Sequence, residues 1–528
     1  RPQLVVLLMA TIGVLLSSIS AVRGYRFSPL GSRTTALSSP TPMLGLFGLF
    51  NYLTMRNYEN YALGSWIKGD GEGTPLFNAI TAKEIGRASS KGLDFSEMMS
   101  YARKVGGTKL RKMTFQERGL MLKALALHLH SIKNKFYALS AETGATKVDS
   151  WIDIEGGIGN IFANASLRKN FPDLPYHIDG DMAPLSKNGT FIGHHIMTPR
   201  EGVAIHINAF NFPIWGMLEK IAVNLMAGVP AIVKPATITC FLTEMMVREI
   251  VDSKILPEGS LQLICGSARG IIDNLETGDI VTFTGSASTG MMLKSNPRLI
   301  EKAVSFNMEA DSLNCSVLGE DAIPGTAEFD IFIKEVRREM TTKAGQKCTA
   351  IRRIIAPENH VSAVIDALSD RLSKTVIGDP NKAETRMGAL VSNAQKRDVL
   401  AKAAIIGAEA EQVYGNKDFH EHKGAFLTPM LFHCATPDTA NRVHDTEAFG
   451  PVSTVMGYRD IDHAIALVNR GQGSLVASVI THDPVVARNV ALGAGAFHGR
   501  LYFNNRDSMK ESTGHGSPLP HMVHGGPG

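Results

Sequence analysis

The segment GVAIHINAFNFPIWGMLEKIAVNLMAGVPAIVKPA, residues 202–236, contains two short apolar runs on either side of a longer one. The runs 202–208 and 230–234 are bounded by Gly, Asn or Pro and have the length of buried strands. The stretch 212–227 has the length of a helix, and its nearly uniform apolar character indicates burial. A strand, a helix and a second strand at this spacing predict a parallel sheet that is covered by helices.

The same alternation continues towards the C-terminus. We expect further strands at 261–265 and 280–283, with helices at 239–254, 269–276 and 288–295. Ligands of parallel sheets bind at the carboxyl ends of the strands. The residues that follow the predicted strands are therefore candidate binding residues: 208–213, 234–237 and 284–290.

Further α/β features flank this core. Residues 114–145 have apolar side chains at helical spacing, and Thr114 with Glu117 fits a capping box. The Asn-Gly turn at 188–189 and the run 191–198 predict a short ribbon that projects from the body. A second α/β segment follows, for which we expect helices at 329–343, 361–374 and 462–470 and a strand at 351–356.

The composition is that of a globular protein with more than one domain. The chain has 528 residues, of which 44% are hydrophobic and 20% charged. Intrinsic disorder and a polytopic membrane protein are therefore excluded. The net charge of +4 comes from 54 basic and 50 acidic residues, but five of the basic residues lie within residues 1–58. The remaining 49 bases face 50 acids, and no basic stripe indicates a nucleic-acid partner.

The first 57 residues have the composition of a targeting leader. Residues 4–22 are almost entirely apolar, and residues 23–42 are rich in Arg, Ser and Thr and contain no acid. The two stretches in series predict bipartite targeting, with the mature body in an organelle such as a plastid or mitochondrion and no membrane contact. The alternatives are a membrane anchor formed by residues 4–22, or a wrongly assigned gene start and a cytoplasmic protein.

One of the five cysteines differs from the others. Their wide spacing and the lack of a CxxC pair favour a reducing compartment over a disulfide framework. Cys348, in AGQKCTAIRR, lies in a Gly-containing break between a helix and a strand. Four cations are near it in sequence: Lys343, Lys347, Arg352 and Arg353. Cationic surroundings favour the reactive thiolate, so we interpret Cys348 as a nucleophile, with a buried structural thiol as the alternative.

Three other segments contain candidate functional residues. Glu309 lies in the otherwise apolar stretch AVSFNME, where partial burial suits a general base, although a surface or capping role is the alternative. Asn211 lies between a strand and a helix start, where its amide can either face an oxyanion or simply cap the helix. The stretch FTGSASTG, 283–290, predicts a strand, a glycine loop and a helix start that suits a phosphate.

Three histidines cluster near the C-terminus, and histidine is a common metal ligand. His515, His521 and His524 lie within ten residues of one another. Their spacing fits no standard metal site, and the surrounding Pro and Gly residues favour a loop. We expect no metal here.

Six segments occur in one fixed order along the chain: NFP (211–213), KPA (234–236), FTGS (283–286), the Glu309 segment, GQKC (345–348) and EAFGPV (447–452). This order resembles the aldehyde dehydrogenase superfamily over about residues 58–528. The stretches INAFNFP, MEADSLN, KAGQKCTAIRRII and KESTGHGSPLP are most similar to members that oxidise CoA-linked semialdehydes during phenylacetate or benzoyl-CoA breakdown.

The resemblance implies an aldehyde dehydrogenase-like α/β fold with several parts. These are a Rossmann-type cofactor-binding domain (58–308), a β-ribbon oligomerisation element at about 179–202, a catalytic domain (309–505) and a C-terminal segment (506–528). In the implied reaction Cys348 attacks the aldehyde, the Asn211 amide and a backbone N–H hold the oxyanion, and Glu309 activates water. The implied cofactor-binding residues are Lys234, Ala236, Thr237, Phe283, Thr284, Gly285, Ser286, Thr289, Ala310, Glu447 and Phe449.

Two departures from the family pattern bear on the cofactor and on the loop beside Glu309. The family commonly has Glu where this chain has Thr237, and loss of that acid removes repulsion against a 2′-phosphate. We therefore expect NADP to be preferred, with NAD possible. The usual ELGG is EADS here, so Asp311 and Ser312 replace two glycines and the shape of that loop is in doubt.

The family ends in a strand that joins the ribbon and pairs with another subunit, whereas this sequence stops at HGGPG. We therefore expect a fragment truncated at both ends and a homo-oligomer in the full-length protein. In a bifunctional relative, a hydratase-like domain would follow residue 528. Besides an aldehyde dehydrogenase acting on a small, CoA-linked aldehyde, two hypotheses remain: a CoA-acylating dehydrogenase and a catalytically silent scaffold.

Overall fold

The alternating segments form two seven-stranded sheets in the computed structural model, which describes residues 56–415 and 423–520. The strands of its N-terminal part are β1 (Arg56–Tyr58), β2 (Asn60–Ala62), β3 (Ser65–Ile67), β4 (Thr74–Phe77), β5 (Glu84–Ala88), β6 (His177–Pro184), β7 (Ile192–Met197), β8 (Ala204–Ile207), β9 (Ala231–Lys234), β10 (Leu261–Leu263), β11 (Ile280–Gly285) and β12 (Ser305–Ala310). The strands of its C-terminal part are β13 (Cys315–Leu318), β14 (Arg353–Pro357), β15 (Glu411–Tyr414), β16 (Met430–Cys434), β17 (Val452–Tyr458), β18 (Ala477–Ile480) and β19 (Leu501–Asn504).

The helices cover both sheets. Those before β13 are α1 (Phe95–Tyr101), α2 (Thr108–Lys112), α3 (Phe115–Ile132), α4 (Asn134–Glu142), α5 (Lys147–Ser166), α6 (Pro213–Met226), α7 (Cys240–Asp252), α8 (Ala287–Lys294) and α9 (Pro297–Glu301). Those after it are α10 (Ala327–Thr341), α11 (Val361–Ser373), α12 (Asn393–Ile406), α13 (Arg442–Asp445), α14 (Ile461–Asn469) and α15 (Pro484–Ala494).

The first sheet has the strand order β12-β11-β8-β9-β10-β2-β3. Its strands run parallel from β12 to β10, and β2 and β3 add an antiparallel edge. The second sheet has the order β15-β16-β17-β14-β13-β18-β19 and is parallel except for β15. A three-stranded sheet (β1, β5, β4) and a separate antiparallel ribbon (β6, β7) complete the described part of the chain.

The local signals in the sequence explain where several elements begin. Thr114 and Glu117 form the predicted capping box at the start of α3, which confirms that prediction. The predicted helix over 114–145 is divided at Lys133 into α3 and α4. Pro213 occupies the first turn of α6, where its missing N–H costs no hydrogen bond.

The predicted domain boundary at 308/309 falls inside β12, because Glu309 and Ala310 continue the register of that strand against Thr284 and Gly285 of β11. The first sheet therefore ends at Ala310, and the second begins at Cys315. The predicted helix at 269–276 is only the 3₁₀ turn Ile272–Asn274, because the Asn274 amide bonds the Gly270 carbonyl and the chain extends at once.

Some predictions concern residues outside the described ranges. The leader, with its predicted targeting signal and possible anchor at 4–22, lies there, as do His521 and His524. Among the helices of residues 56–415 and 423–520, none combines the length and apolarity that a membrane crossing requires. The predicted ribbon at about 179–202 corresponds to β6 and β7.

Arg353 ties the core of the second sheet together. Its guanidinium is fully buried and donates to three backbone carbonyls, those of Leu313, Leu467 and Val468, at 3.1, 2.7 and 2.9 Å. The first carbonyl belongs to the loop before β13, and the other two belong to the last turn of α14. A single side chain therefore links the end of a helix to the loop before a strand of the second sheet.

We predict that Arg353→Met destabilises the protein by about 3 kcal/mol, because it removes three hydrogen bonds to backbone carbonyls in the core. Thermal and urea unfolding of the purified chain would measure the change. The matched control is Arg442→Met, whose side chain is 57% exposed and pairs with Asp445 at the surface. Equal stability of the two variants would contradict this account.

Candidate active site

A cavity of about 860 Å³ lies between the two large sheets. Its lining includes residues that follow β8, β9, β11 and β12, so the first sheet presents its carboxyl ends, as predicted. The second sheet contributes loops that precede β13, β14, β17 and β18, so it presents the opposite ends of its strands. Residues of α5, α6, α10 and α12 and of the segment after β19 also line the cavity.

The structure brings nearly all the predicted site residues to this cavity. Those that line it are Asn211, Lys234, Ala236, Phe283, Thr284, Gly285, Ser286, Thr289, Glu309, Ala310, Cys348, Glu447 and Phe449. The exception is Thr237, which begins the 3₁₀ turn Thr237–Thr239 directly after Ala236 and is half-buried. Residues from segments more than two hundred positions apart, such as Asn211 and Phe449, thus meet in one cavity.

Cys348 lies in a loop without regular structure. The backbone carbonyls of residues 347–350 all accept hydrogen bonds from buried side chains. The Asn314 amide donates to the carbonyls of Cys348 and Ala350, at 2.7 and 3.1 Å. Arg352 donates to the carbonyl of Lys347 at 3.3 Å, and His515 donates to that of Thr349 at 2.9 Å. The loop is therefore fixed as firmly as a strand, although it belongs to neither sheet.

The loop before Cys348 is held against the first domain. Lys343 and Ala344 have positive φ angles of 51° and 52°, and a buried network holds the first of them. The Lys343 N–H donates to Asp149 of α5 at 2.8 Å, and its ammonium donates to the Thr143 hydroxyl at 2.7 Å. This network connects the nucleophile loop to α5, which also lines the cavity.

The cations that flank Cys348 in sequence do not make it a thiolate, so this prediction is wrong. Burial raises the pKa of Cys348 well above its ordinary value, and the charge and hydrogen bond of Glu309 raise it further. Lys347 opposes this shift only weakly, because its ammonium pairs with buried Glu339 at 2.7 Å. Cys348 is therefore a thiol at neutral pH, and a base must remove its proton before it can attack.

The other three cations near Cys348 in sequence are directed elsewhere. Lys343 bonds Thr143, Arg353 bonds the carbonyls described above, and Arg352 pairs with Glu447 at 3.3 Å. Sequence neighbours of a loop residue do not share its direction, and only the tertiary structure shows which of them face the thiol.

Helix α6 presents Asn211 and a charged pair to the same cavity. Asn211 is 8% exposed and precedes the helix, whose first turn is anchored by Asp153 accepting the Trp215 N–H at 2.7 Å. Burial raises the pKa of Asp153 to about 7. Further along, the Lys220 ammonium, 13% exposed, donates to Glu219 at 2.9 Å.

Lys220 is a cavity residue that the sequence reasoning missed. Burial lowers its pKa, but the carboxylates of Glu219 and Glu309 outweigh burial, so the net shift is upward and the ammonium stays charged. Its positive charge therefore faces Glu309 and Cys348. A signal was present, because Glu219 and Lys220 are the one charged pair in the otherwise apolar stretch 212–227.

The start of α8 is the predicted phosphate cradle. Ser286 is its N-cap, with the hydroxyl accepting the Thr289 N–H at 3.4 Å. Gly290 lets the helix approach β12, because a Cβ there would lie 2.7 Å from the Met308 sulfur. Asp311, which has a φ of 28°, accepts the Ala287 N–H at 3.1 Å, so this acid takes the first free N–H of the helix.

Glu447 and Phe449 are held in place from the second domain. Glu447 accepts from Arg352 and from the Ser312 N–H at 3.1 Å, and burial raises its pKa. Phe449 packs edge-on against Phe210, with ring centroids 5.7 Å apart. The acid and the ring therefore form a rigid wall across from α8.

The cavity also contains buried polar atoms that a polar ligand could satisfy. Both amide atoms of Asn208 and the Thr284 hydroxyl have no hydrogen-bond partner among the described residues, and both residues line the cavity. Buried polar groups of folded proteins are normally paired. These unpaired amide and hydroxyl groups lie at the ends of the neighbouring strands β8 and β11. They suit a ligand that has both hydrogen-bond donors and acceptors, such as a dinucleotide. In the same part of the chain, no group of three or more His, Cys, Asp or Glu could hold a metal ion.

We predict that Glu309→Gln makes Cys348 react faster with iodoacetamide at pH 7–8. Glu309 raises the pKa of the thiol, so removing its charge lowers that pKa and increases the thiolate fraction, by about threefold or more. The alkylation rate of Cys348, measured at a series of pH values by peptide mass spectrometry, should begin to rise at a lower pH in the variant than in wild type. Glu301→Gln, at an exposed site, is the control. An unchanged pH dependence of the alkylation rate in Glu309→Gln would contradict the claim that Glu309 raises the pKa of the thiol.

Comparison with known proteins agrees with this geometry. Residues 66–516 match the model of the Aldehyde dehydrogenase family. The 3,4-dehydroadipyl-CoA semialdehyde dehydrogenase of Aromatoleum evansii is 40% identical over 475 residues, which cover 89% of this chain and 92% of that protein.

Two solved structures are similar in fold. A lactaldehyde dehydrogenase has a TM-score of 0.75 at 20% identity and covers 86% of this chain and 92% of its own. A betaine aldehyde dehydrogenase from Staphylococcus aureus, in complex with NAD+, has a TM-score of 0.75 at 22% identity, with 85% and 87% covered. The ordered motifs, the family match and the 40% identical relative lead to one conclusion: this chain belongs to the aldehyde dehydrogenase family.

Proposed function

We propose that this NAD(P)-dependent aldehyde dehydrogenase acts through a covalent thioester on Cys348. The contact between the Cys348 thiol and the Glu309 carboxylate, at the wall that also contains Asn211, is the observation that supports it. A thiol whose pKa is raised needs a base, and the base is beside it.

The steps follow from these side chains. Glu309 accepts the thiol proton, and the Cys348 sulfur forms a bond to the carbonyl carbon of the aldehyde. The carbonyl oxygen becomes an oxyanion, which the Asn211 amide and the N–H of Cys348 hold. Loss of a hydride from this adduct leaves a thioester. Once Glu309 has released the thiol proton to solvent, it removes a proton from water, whose oxygen attacks the thioester carbon. Cleavage of the C–S bond releases the acid, and the Cys348 sulfur leaves as a thiolate that takes the proton back from Glu309.

A nicotinamide dinucleotide supplies the hydride acceptor for this oxidation. Lys234 and Glu447 would hold its riboses, Gly285 and Ser286 its pyrophosphate, and Phe449 would pack beside the nicotinamide ribose. The unpartnered Asn208 and Thr284 groups at neighbouring strand ends suit such a ligand. Asp311 would share the start of α8 with the pyrophosphate.

We propose NADP as the preferred cofactor. The support is the absence of an acid at Thr237, beside Ala236 of the cavity wall, where a carboxylate would repel a 2′-phosphate. The Thr237 hydroxyl could instead donate to that phosphate.

Thr237→Glu is expected to reverse this preference. The new carboxylate would repel the 2′-phosphate and accept from ribose hydroxyls, so the NADP/NAD ratio of kcat/KM should fall by about tenfold or more. Steady-state kinetics with both cofactors would measure the ratio. Thr237→Val, which is uncharged and of similar size, is the control. An unchanged ratio in Thr237→Glu would remove Thr237 from the cofactor site.

We propose a CoA-linked semialdehyde as the substrate class. The support is the 40% identical relative, whose name states a CoA semialdehyde, and an apolar rim on the cavity formed by Val148, Trp151 and Leu519, which are 64%, 55% and 42% exposed. Exposed aromatic and aliphatic side chains at a cavity rim suit a large, partly apolar substrate.

Cys348→Ala should abolish formation of reduced cofactor from every aldehyde in a panel of free aldehydes and CoA semialdehydes. Wild-type protein should favour the CoA semialdehydes and release a free acid, detected by chromatography. The control is Cys434→Ala, at a buried thiol of β16. Turnover that persists in Cys348→Ala would refute the mechanism, and release of a CoA thioester formed with added CoA would indicate the acylating alternative.

We further propose that the ribbon of β6 and β7 pairs with a second copy of the chain. Its support is a set of exposed apolar side chains on the two strands, of which Ile178, Ile192 and Ile196 are 48%, 44% and 55% exposed. Apolar side chains on both strands of a projecting ribbon are typical of an interface.

A further inference from the structure

The segment after β19 packs against the loop of the nucleophile. We call residues 513–519 the strap. Its cavity-lining members are Thr513, Gly516, Ser517, Pro518 and Leu519. His515, between them, is fully buried. The strap is therefore part of the wall of the active site, and its histidine points into the protein.

We propose that His515 is a positioning residue for the Cys348 nucleophile, an inference that rests on the proposed function. Its Nε2 donates to the carbonyl of Thr349, the residue after Cys348, at 2.9 Å. This nitrogen carries the proton because a carbonyl oxygen can only accept. In return, the Thr349 hydroxyl donates to the Gly516 carbonyl at 3.4 Å. The strap thus holds the residue next to the nucleophile from two directions.

With this hydrogen bond, each backbone carbonyl of residues 347–350 accepts from a side chain. Asn314 donates to the carbonyls of Cys348 and Ala350, and Arg352 donates to that of Lys347. His515 is the donor to the remaining carbonyl, that of Thr349. A buried carbonyl that loses its donor tends to turn towards another one, and such a rotation would displace the adjoining Cys348.

Close contacts on both sides of His515 hold the strap in place. The Arg500 guanidinium donates to the His515 carbonyl at 2.8 Å. Gly514, with a φ of 89°, and Gly516 have no room for a Cβ, because Arg338 and the Lys347–Glu339 ion pair fill the space beside them. The two glycines on either side therefore let the strap lie directly on the buried charges.

His515 acts as a neutral donor and not as a charge. Burial lowers its pKa to about 3, so the ring is uncharged throughout the range in which the enzyme would work. Replacing it by another neutral donor of the same reach should therefore preserve its role. Replacing it by a neutral side chain of the same length without a donor should abolish that role.

The test compares His515→Gln with His515→Met in the full chain, with Lys510→Ala, an exposed site near the strap, as the control. The Gln amide can reach the Thr349 carbonyl as Nε2 does, whereas the Met side chain cannot donate. We expect His515→Met to lower kcat by about tenfold with cofactor Kd unchanged, and His515→Gln to stay within about threefold of wild type.

Iodoacetamide labelling gives a second readout that needs no aldehyde. Contact with Glu309 raises the pKa of the Cys348 thiol, so a displaced Cys348 should be alkylated faster at pH 7 in His515→Met, while Cys315 and Cys434 stay unlabelled. If no aldehyde is oxidised by wild type, the proposed function fails, but labelling still reports the position of Cys348.

Three results would overturn the proposal. His515→Met could match wild type in kcat and in labelling, which would show that the hydrogen bond has no positioning role. His515→Gln could be as impaired as His515→Met, which would show that ring shape and not donation matters. All buried cysteines could gain reactivity together with a lower Tm, which would indicate general destabilisation.

Discussion

The loop that carries Cys348 must be held rigidly between two sheets while belonging to neither. Its carbonyls, those of residues 347–350, are buried and therefore need donors, and side chains from other segments supply them. Each donor comes from a different part of the second domain: the loop before β13, the start of β14 and the strap. The position of the nucleophile is thus a consequence of how these three segments pack.

The opposed orientation of the sheets provides the space in which this loop functions. Parallel strands of the first sheet end at the cavity and leave polar side chains there, such as Asn208, Lys234 and Thr284. Strands of the second sheet begin at it, and their preceding loops contribute Cys348 and Glu447. Because Glu309 lies near the carboxyl end of β12, the first sheet carries it to the cavity, where it contacts the thiol in the loop before β14.

Local charge, and not the net charge of the chain, determines the chemistry of this site. The thiol is partly buried beside a carboxylate, so its resting state is protonated, and the attack that we propose would need Glu309 as its base. Lys220 brings a positive charge to the same place, and its own partner Glu219 keeps it from being an isolated buried cation. The four cations that precede and follow Cys348 in sequence bond to buried groups that hold the loop and the second sheet in place.

The sequence alone determined most of the regular elements and which motifs line the cavity. Periodicity and turn residues predicted the strand and helix alternation, the capping box of α3 and the ribbon, because these depend on neighbours a few positions away. The order of the motifs was sufficient to predict the family, and thirteen of the fourteen residues named for the site line the cavity.

Only the tertiary structure decided which groups face one another. Whether Lys347 points to Cys348 or to Glu339 depends on a contact with a helix, and no local pattern encodes that direction. The roles of Lys220 and Asn208, and the placement of His515 behind Thr349, arise in the same way from segments far apart in the chain. Electrostatic and hydrogen-bonding effects depend on distance in space, so the protonation state of the nucleophile could not be deduced from sequence order.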